Sequence, residues 1–435
     1  MPRGTLDSKL VEEYFDKLWP LFRSITGNGV RETHKILSEI IPLESLEIPS
    51  GTSVFDWEVP KEWSVREAYV IDPNGKRILD IADNNLHLVN YSIPFSGEMT
   101  LKEFDKYLHS IPELPEAIPY VTSYYEPRWG FCISHTQRQD LIDGTYKIHI
   151  ETELFEGSMT ISEAILPGKT DQEVLFSTYT CHPSLANNEL SGPLVTAFLY
   201  SVLSNLKDRR FTYRFIFGPE TIGSIYYLWN RRETIKKKLV AGYMVTCVGD
   251  NGKFHYKLSR RGDTVADRAV QYFFRKNREY QCEFLPFFPW GSDERQYCSP
   301  GFNLPVGSLT RTIYGKYDEY HTSLDNKKII SFDSIIETID VYFQICRTLE
   351  MNYKFINKKP YCEPKLDKYD LYSTFSETRK NKEWTNAIRW ILNLSDGSND
   401  LLDISEKSEI DIELLHKMAL DCQNKGLLKL AKISD

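Results

Sequence analysis

Four short stretches of this chain place a metal-type or acid/base side chain at the expected end of a strand. Val174-Leu175-Phe176 leads to His182 and, six residues on, Asn188; Phe215-Ile216-Phe217 leads to Glu220. Asp293 follows Trp290-Gly291-Ser292, and His321 stands in Tyr320-His321-Thr322-Ser323-Leu324-Asp325. A histidine and a short oxygen donor on neighbouring loops is an arrangement that holds zinc. Taken singly, a His or Asp of this kind is more often a hydrogen-bonded structural group than a ligand, and Asn188 can serve as a loop cap. Four such stretches in one chain make a constellation. The chemistry that needs it is metal-assisted hydrolysis, which uses a cation, a water and a carboxylate to carry the water's proton.

The elements that must position these residues are legible in the spacing of apolar side chains. Short apolar runs that end in small polar residues read as buried strands of a parallel sheet, and open α/β sheets bind ligands beyond the carboxyl ends of their strands. Through residues 145–350 such runs alternate with helical patterns: a hairpin over 147–152 and 158–166, a helix over 194–206, a strand over 214–217 and a helix over 222–238. Further segments at 239–248, 264–277 and 329–351 continue the alternation, which predicts an α/β sheet of mixed strand order. Residues 8–40 read as two helices broken at Ile25-Thr26-Gly27-Asn28-Gly29, and residues 46–144 change to short β-type runs punctuated by turns. After residue 352 a linker marked by Pro360 and Pro364 precedes a helical unit over 384–394, 401–405 and 412–423. That unit closes in an apolar strand and reads as a winged helix. The expected organisation is a core of 1–45 with 145–352, an inserted β-rich domain over 46–144, and a linker plus winged helix over 353–435.

With 435 residues, 41% of them hydrophobic and 13% aromatic, the chain is long enough for two or three folded domains. The formal charge of −8 argues against a generally nucleic-acid-seeking surface. The helix expected to enter a DNA groove also begins with the acids Asp411 and Glu413, so the tail is read as a packing, oligomer or protein-contact module. Neither a signal-peptide core at the N-terminus nor a membrane-length apolar window is present, which predicts a cytoplasmic protein without a membrane partner. The eight cysteines at 132, 181, 247, 282, 298, 346, 362 and 422 lack close CxxC spacing and are expected to be reduced and mostly buried. Cys181 adjoins His182, but on a strand it would point away from its neighbour's face, which argues against a nucleophile.

The order His182…Asn188-Glu189-Leu190-Ser191-Gly192, Gly218-Pro219-Glu220-Thr221-Ile222-Gly223-Ser224, Gly291-Ser292-Asp293 and Tyr320-His321-Thr322-Ser323-Leu324-Asp325 resembles the zinc aminopeptidases of the M28 type. A closer resemblance is to bacterial aminopeptidase-like domain proteins associated with polysaccharide biosynthesis loci, which carry an inserted accessory domain and a C-terminal winged helix. It rests on Ser50-Gly51-Thr52, Phe55-Asp56-Trp57, Pro60-Lys61-Glu62-Trp63, Arg128-Trp129-Gly130-Phe131-Cys132, Glu294-Arg295-Gln296-Tyr297 and Pro300-Gly301-Phe302-Asn303-Leu304-Pro305. The resemblance implies an M28-type zinc-peptidase-like mixed sheet with helices on both faces. It also implies that Glu220 is the general base and that His182, Asn188, Asp293 and His321 are the metal ligands.

Three departures matter. The family's bridging aspartate is Asn188, the second glutamate of its Glu-Glu pair is Thr221, and the aspartate expected after its first histidine is Ser184, which leaves His182 without its usual orienter. Two divalent cations side by side need anionic ligands to offset their repulsion, and two carboxylates of the set are missing here. The expected cofactor is therefore one zinc ion rather than two. Arg295, Tyr297, Arg311 and Tyr320 lie near these motifs in sequence and are candidates to bind a substrate carboxylate or phosphate. The function expected is a metal-dependent hydrolase of a small amide, peptide or amino-sugar precursor. The competing expectation is a non-catalytic binding or scaffold protein that keeps the fold with an eroded site.

Overall fold

The computed structural model describes residues 6–371 and 379–431, which form two compact units. The larger comprises 1–267 and 279–342 and is built on an eight-stranded sheet. Its strands are β1 (Glu44–Pro49), β2 (Ser158–Leu166), β3 (Glu173–Tyr179), β4 (Thr212–Gly218), β5 (Leu239–Met244), β6 (Phe254–Lys257), β7 (Cys282–Leu285) and β8 (Val306–Thr310). They lie in the order β1-β2-β4-β3-β5-β8-β6-β7. The middle four, β4, β3, β5 and β8, are mutually parallel. Strands β1, β2 and β6 pair antiparallel to their inner neighbours, which makes the sheet mixed. Every residue of β3 is buried, as its apolar run required.

Parallel strands deliver their carboxyl ends to one edge of a sheet, and this is what gathers the loops that follow β3, β4 and β8. The approach there is close. Gly192, in the first turn of the helix Ser191–Ser204, has no room for a side chain: a Cβ would stand 2.4 Å from the Val245 carbonyl oxygen and 2.5 Å from Thr178 Oγ1. Gly192→Ala is therefore expected to lower the unfolding free energy by about 3 kcal/mol, since neither a backbone carbonyl nor a buried hydroxyl can give way cheaply. Urea unfolding of the two proteins checks this, and an unchanged midpoint would contradict the packing described.

Two local expectations are corrected. Residues 147–152 and 158–166 do not form a hairpin. Thr145–Phe155 pairs instead with Glu62–Ile71 and Phe95–Thr100 in a separate antiparallel sheet, whereas β2 pairs with β1 and β4. Both runs alternate in a way that suits either partner, so local pattern could not choose between them. The helix expected over 222–238 is two, Ile222–Arg231 and Ile235–Lys238.

The sheet containing Glu62–Ile71 shares a continuous core with the end of the main sheet. Trp63, Val70, Tyr91, Phe104, Phe131, Tyr146 and Ile148 cluster with Tyr179, Cys181 and Met244. That common core fixes residues from the β-rich stretch over the carboxyl edge of β3.

The smaller unit comprises 268–278 and 343–435. It has a three-stranded antiparallel sheet, with Lys354–Asn357 between Asp396–Asp400 and Leu428–Leu430, and the helices Arg379–Leu394, Leu401–Ser408 and Ile412–Asn424. This is a winged helix. Arg268 ties the unit together through Asp400 at 2.6 Å and Asp403 at 2.7 Å. The acids that open the last helix are paired within the unit, Asp411 with Lys276 and Glu413 with Arg347. No helix among the described residues is long and apolar enough to cross a membrane.

Candidate active site

At the carboxyl edge of the parallel strands lies a cavity of about 350 Å³. Its floor is Cys181, His182, Glu220, Thr221 and His321, and Ile25, Trp57, Tyr120, Thr122, Tyr124, Tyr125 and Ile222 wall it. The chain leaves β3 at Tyr179, so Cys181 and His182 stand in the loop beyond it. Here the expectation for Cys181 fails: off the strand, alternation no longer applies, and its Sγ lies 3.2 Å from His182 Nδ1 on the same cavity floor. Burial holds the thiol well above its ordinary pKa, so it stays protonated and a poor nucleophile.

His182 is enclosed on both sides. Its Nδ1 lies 2.9 Å from Glu189 Oε2 and its Nε2 3.7 Å from Glu220 Oε2. The ring of His321 faces it with centroids 5.3 Å apart, and Tyr120 lies against both rings at 4.9 and 5.4 Å. Burial pushes both histidines down to about 3, with Arg23 adding to the effect at His182 and His182 adding to it at His321. Both imidazoles are therefore neutral at ordinary pH and keep a nitrogen lone pair to donate. His321 has a left-handed backbone with φ 56°, stacks on Tyr320 at 4.0 Å, and has no hydrogen-bond partner for its buried Nε2.

Glu220 follows β4, and its backbone N–H donates to Cys181 Sγ at 3.3 Å. A quarter of its side chain opens on the cavity, yet the carboxyl is enclosed. Burial first, and then the negative charge of Asp293, raise its pKa well above the carboxylate range, against the pull of Arg295. The next residue holds a conformation that β-branched side chains rarely adopt, Thr221 at φ 66°. Asp293 and Arg295 hold it there: the Thr221 N–H donates to Asp293 Oδ1 at 2.8 Å, and Arg295 donates to Thr221 Oγ1 at 2.8 Å. These bonds offset a strain of about 1–3 kcal/mol and fix the direction in which Glu220 leaves the turn.

Asn188 lies in a π-helical turn, Ala186–Leu190, a kind of turn that recurs at functional sites. Asp325 anchors it by accepting the backbone N–H groups of Ala186, Asn187 and Asn188 at 3.1, 2.6 and 2.9 Å. The Asn188 amide donates to Tyr179 Oη at 2.9 Å, while its Oδ1 is buried without a partner.

Of the nine residues singled out from the sequence, then, His182, Glu220 and His321 line one cavity. Asn188 and Asp293 are buried and do not line it. Arg295 is spent on Thr221 and on the carbonyls of Gly291 and Ser292. Tyr297 is fully buried and donates to Ser177. Arg311 is buried against Glu337, Thr338 and the Gly252 carbonyl. Tyr320 touches the site through its stack on His321. Among the described residues, three donor atoms of the His, Cys, Asp and Glu types converge within 4.8 Å at Cys181, His182 and Glu189 and at Glu67, His149 and Glu151. His182, Asp293 and His321 do not form such a group. The second cluster is half exposed, and two of its acids pair with Arg66 and Arg77.

Three features escaped the reading of the sequence. Glu189 and Arg23, one 3.9 Å from the other with both side chains fully buried, sit behind His182. Asp325 braces the Asn188 turn. The tyrosines 120, 124 and 125 wall the cavity, and their density in the sequence was the one signal that could have found them.

A family model described as a domain of unknown function, DUF4910, matches residues 12–352. The chain belongs to this DUF4910 family. A second model, of a winged helix-turn-helix, matches residues 354–430. A Clostridium acetobutylicum protein provisionally described as a polysaccharide biosynthesis protein with an aminopeptidase-like domain is 44% identical over 416 residues, 95% of each chain. The crystal structure of a provisionally assigned peptidase from the same organism, 42% identical, superimposes with a TM-score of 0.87 over 97% of this chain and 96% of that one. A zinc aminopeptidase from Bacillus subtilis, at 12% identity, gives a TM-score of 0.56 over 78% of this chain and 94% of its own. A peptidase M28 precursor from Shewanella amazonensis gives 0.53, also at 12% identity, over 78% and 91%. These last two likenesses establish the fold: this DUF4910 member is an M28-type, peptidase-like mixed α/β sheet that carries a winged helix.

Proposed function

We propose that the protein is a hydrolase of amide or peptide bonds that works at this cavity with Glu220 as general base. One observation carries the reading. The raised carboxyl of Glu220 shares an enclosed floor with two neutral imidazoles, and one of these, His321, has a buried nitrogen with no partner. A carboxyl raised in this way can take a proton from water and return it to a leaving amine near neutral pH. The donors fit one divalent cation. His182 and His321 would hold it, with Asn188 Oδ1, another buried atom without a hydrogen-bond partner, as the oxygen donor. Zinc bound there would supply Lewis acidity at the scissile carbonyl. Asp293, committed to the Thr221 amide, acts as a brace for Glu220.

Among the described residues no lysine or arginine lines the cavity, so it suits a neutral or amine-bearing group rather than a carboxylate or phosphate. Aromatic walls favour an apolar side chain or the face of a sugar ring. The description of the Clostridium relative supports polysaccharide biosynthesis as the setting. We place that work in the cytoplasm, with the stretch over 46–144 as the substrate-facing wall and the winged helix as a contact for a second copy or a protein partner.

The test is hydrolysis of a panel of aminoacyl amides and N-acyl amino sugars, with and without zinc. Glu220→Gln is expected to lower the rate by about 10²–10⁴-fold while zinc binding, followed by chelator competition, persists. An unaltered rate would overturn the role of Glu220. A specific observation favours the scaffold reading as the second choice: the expected ligands His182, Asp293 and His321 do not converge. Tight amide binding with zinc present and no turnover would establish that reading instead.

A further inference from the structure

We propose that Glu189, held by Arg23, is the positioning residue that fixes His182, taking the place of the orienting carboxylate lost at Ser184; this rests on the reading of His182 as a cavity-facing ligand. The Ser184 hydroxyl accepts from Asn85 at 3.0 Å and is turned to other work. Glu189 arrives from the far end of the π-helical turn and brings Oε2 to 2.9 Å from His182 Nδ1.

Its side chain is fully buried, and neither carboxylate oxygen has a hydrogen-bond partner of good geometry. An enclosed carboxylate in that condition is costly: burial raises its pKa against the pull of Arg23 and of the backbone N–H groups of His182 and Cys181, and the imidazole N–H, 2.9 Å away, is the side-chain donor that can turn to it. Arg23 supplies the balancing charge. It is also fully buried, its Nε lies 3.9 Å from Glu189 Oε1, and its remaining bonds go to the carbonyls of His182 at 3.0 Å and Leu18 at 2.7 Å. A guanidinium stays protonated in proteins and needs an anion when enclosed, and Glu189 is the carboxylate in contact with it. One arginine therefore grips the backbone of His182 and also steadies the acid that holds its ring. With Nδ1 protonated toward Glu189, the lone pair of Nε2 is directed at the cavity beside Glu220.

Cys181 Sγ also lies 3.2 Å from Nδ1. A Cys-His-Glu nucleophilic triad is nevertheless ruled out, since thiol and carboxylate compete for the same nitrogen instead of taking opposite ones.

The test reads the tautomer of His182 in the metal-free, full-length protein labelled with ¹⁵N-histidine, the signal being assigned by its loss in His182→Gln. The wild type is expected to carry its proton on Nδ1. Glu189→Gln, which keeps an acceptor oxygen, should retain that tautomer, and Glu189→Leu should lose it. Where Arg23 left alone prevents folding, the double variant Arg23→Met/Glu189→Leu serves in its place. Zinc affinity, measured by chelator competition, should fall about 10–100-fold in the leucine variant and much less in the glutamine variant. A proton on Nε2 in the wild type, or an unchanged tautomer in the leucine variants, overturns the proposal. If His182→Ala leaves zinc affinity unchanged, the metal reading fails, while the tautomer still decides the role of Glu189.

Discussion

Asn188→Asp is expected to tighten zinc binding tenfold or more, about 1.4 kcal/mol, and to make the metal-free protein less stable. Asn188 Oδ1 is an orphaned, buried, neutral acceptor. A carboxylate there adds a full negative charge to a donor set otherwise made of uncharged imidazoles. Without a cation, that charge would stand in an enclosed region beside Asp325, whose oxygens hold the Asn188 turn, and would repel it. Tyr179 Oη, now accepting from the Asn188 amide, can turn to donate to the new carboxylate, so no gross rearrangement is needed. The wild type is expected to bind one zinc per chain, and the variant has the charge to admit a second. Elemental analysis and chelator competition measure both quantities. Unchanged affinity in Asn188→Asp, together with a silent His182→Ala, would show that these strand-end residues hold no metal.

Lys257→Met is expected to cost about 3–5 kcal/mol of stability, the usual penalty for leaving a buried charge without its partner. Lys257 ends β6 and meets Glu294 at 2.6 Å, with the two side chains 1% and 0% exposed. Its ammonium also donates to the Trp290 carbonyl at 2.6 Å and lies 3.8 Å from the centre of the Phe288 ring. Glu294 would be left with the Tyr314 hydroxyl at 3.0 Å. Adding Glu294→Leu removes the stranded charge and should recover much of the loss, which separates the electrostatic cost from the packing cost. Urea unfolding of the single and double variants provides the measurement, and a loss below about 1 kcal/mol in the single variant would contradict it. Because Glu294 adjoins Asp293 and Arg295, the same ion pair steadies the clamp on Thr221.

The aromatic run at Phe284, Phe287, Phe288 and Trp290 shows how far pattern alone reached. Its sequence admits a cavity wall, although such a run is more often core. The structure puts Phe288 under the Lys257 ammonium and leaves Trp290 59% exposed, away from the cavity. The true wall comes from tyrosines 120, 124 and 125, in a stretch whose turns and short runs carried no sign of chemistry.

What the sequence by itself determined is the set of loops that meet. An apolar run that ends in small polar residues encodes a buried strand and its end through nearest-neighbour spacing, so the positions after β3 and β4 were legible, with His182 and Glu220 on them. His321 belonged to the same constellation, and the M28-type motifs gave it a ligand's role. The tertiary structure decided which charges are paired and which face the cavity. Arg23 and His182 are 159 residues apart in the chain, and nothing in the local pattern of either marks the other. Their partnership, like that of Lys257 with Glu294 and of Asp325 with the Asn188 turn, is set by the requirement that a charge removed from water find its counter-charge or donor inside the fold. That requirement is met through space, whereas periodicity reports only on neighbours along the chain. For the same reason Arg295 and Arg311, which nearness to the motifs in sequence offered to the substrate, are consumed by the protein's own carbonyls, hydroxyl groups and, for Arg311, the Glu337 carboxylate.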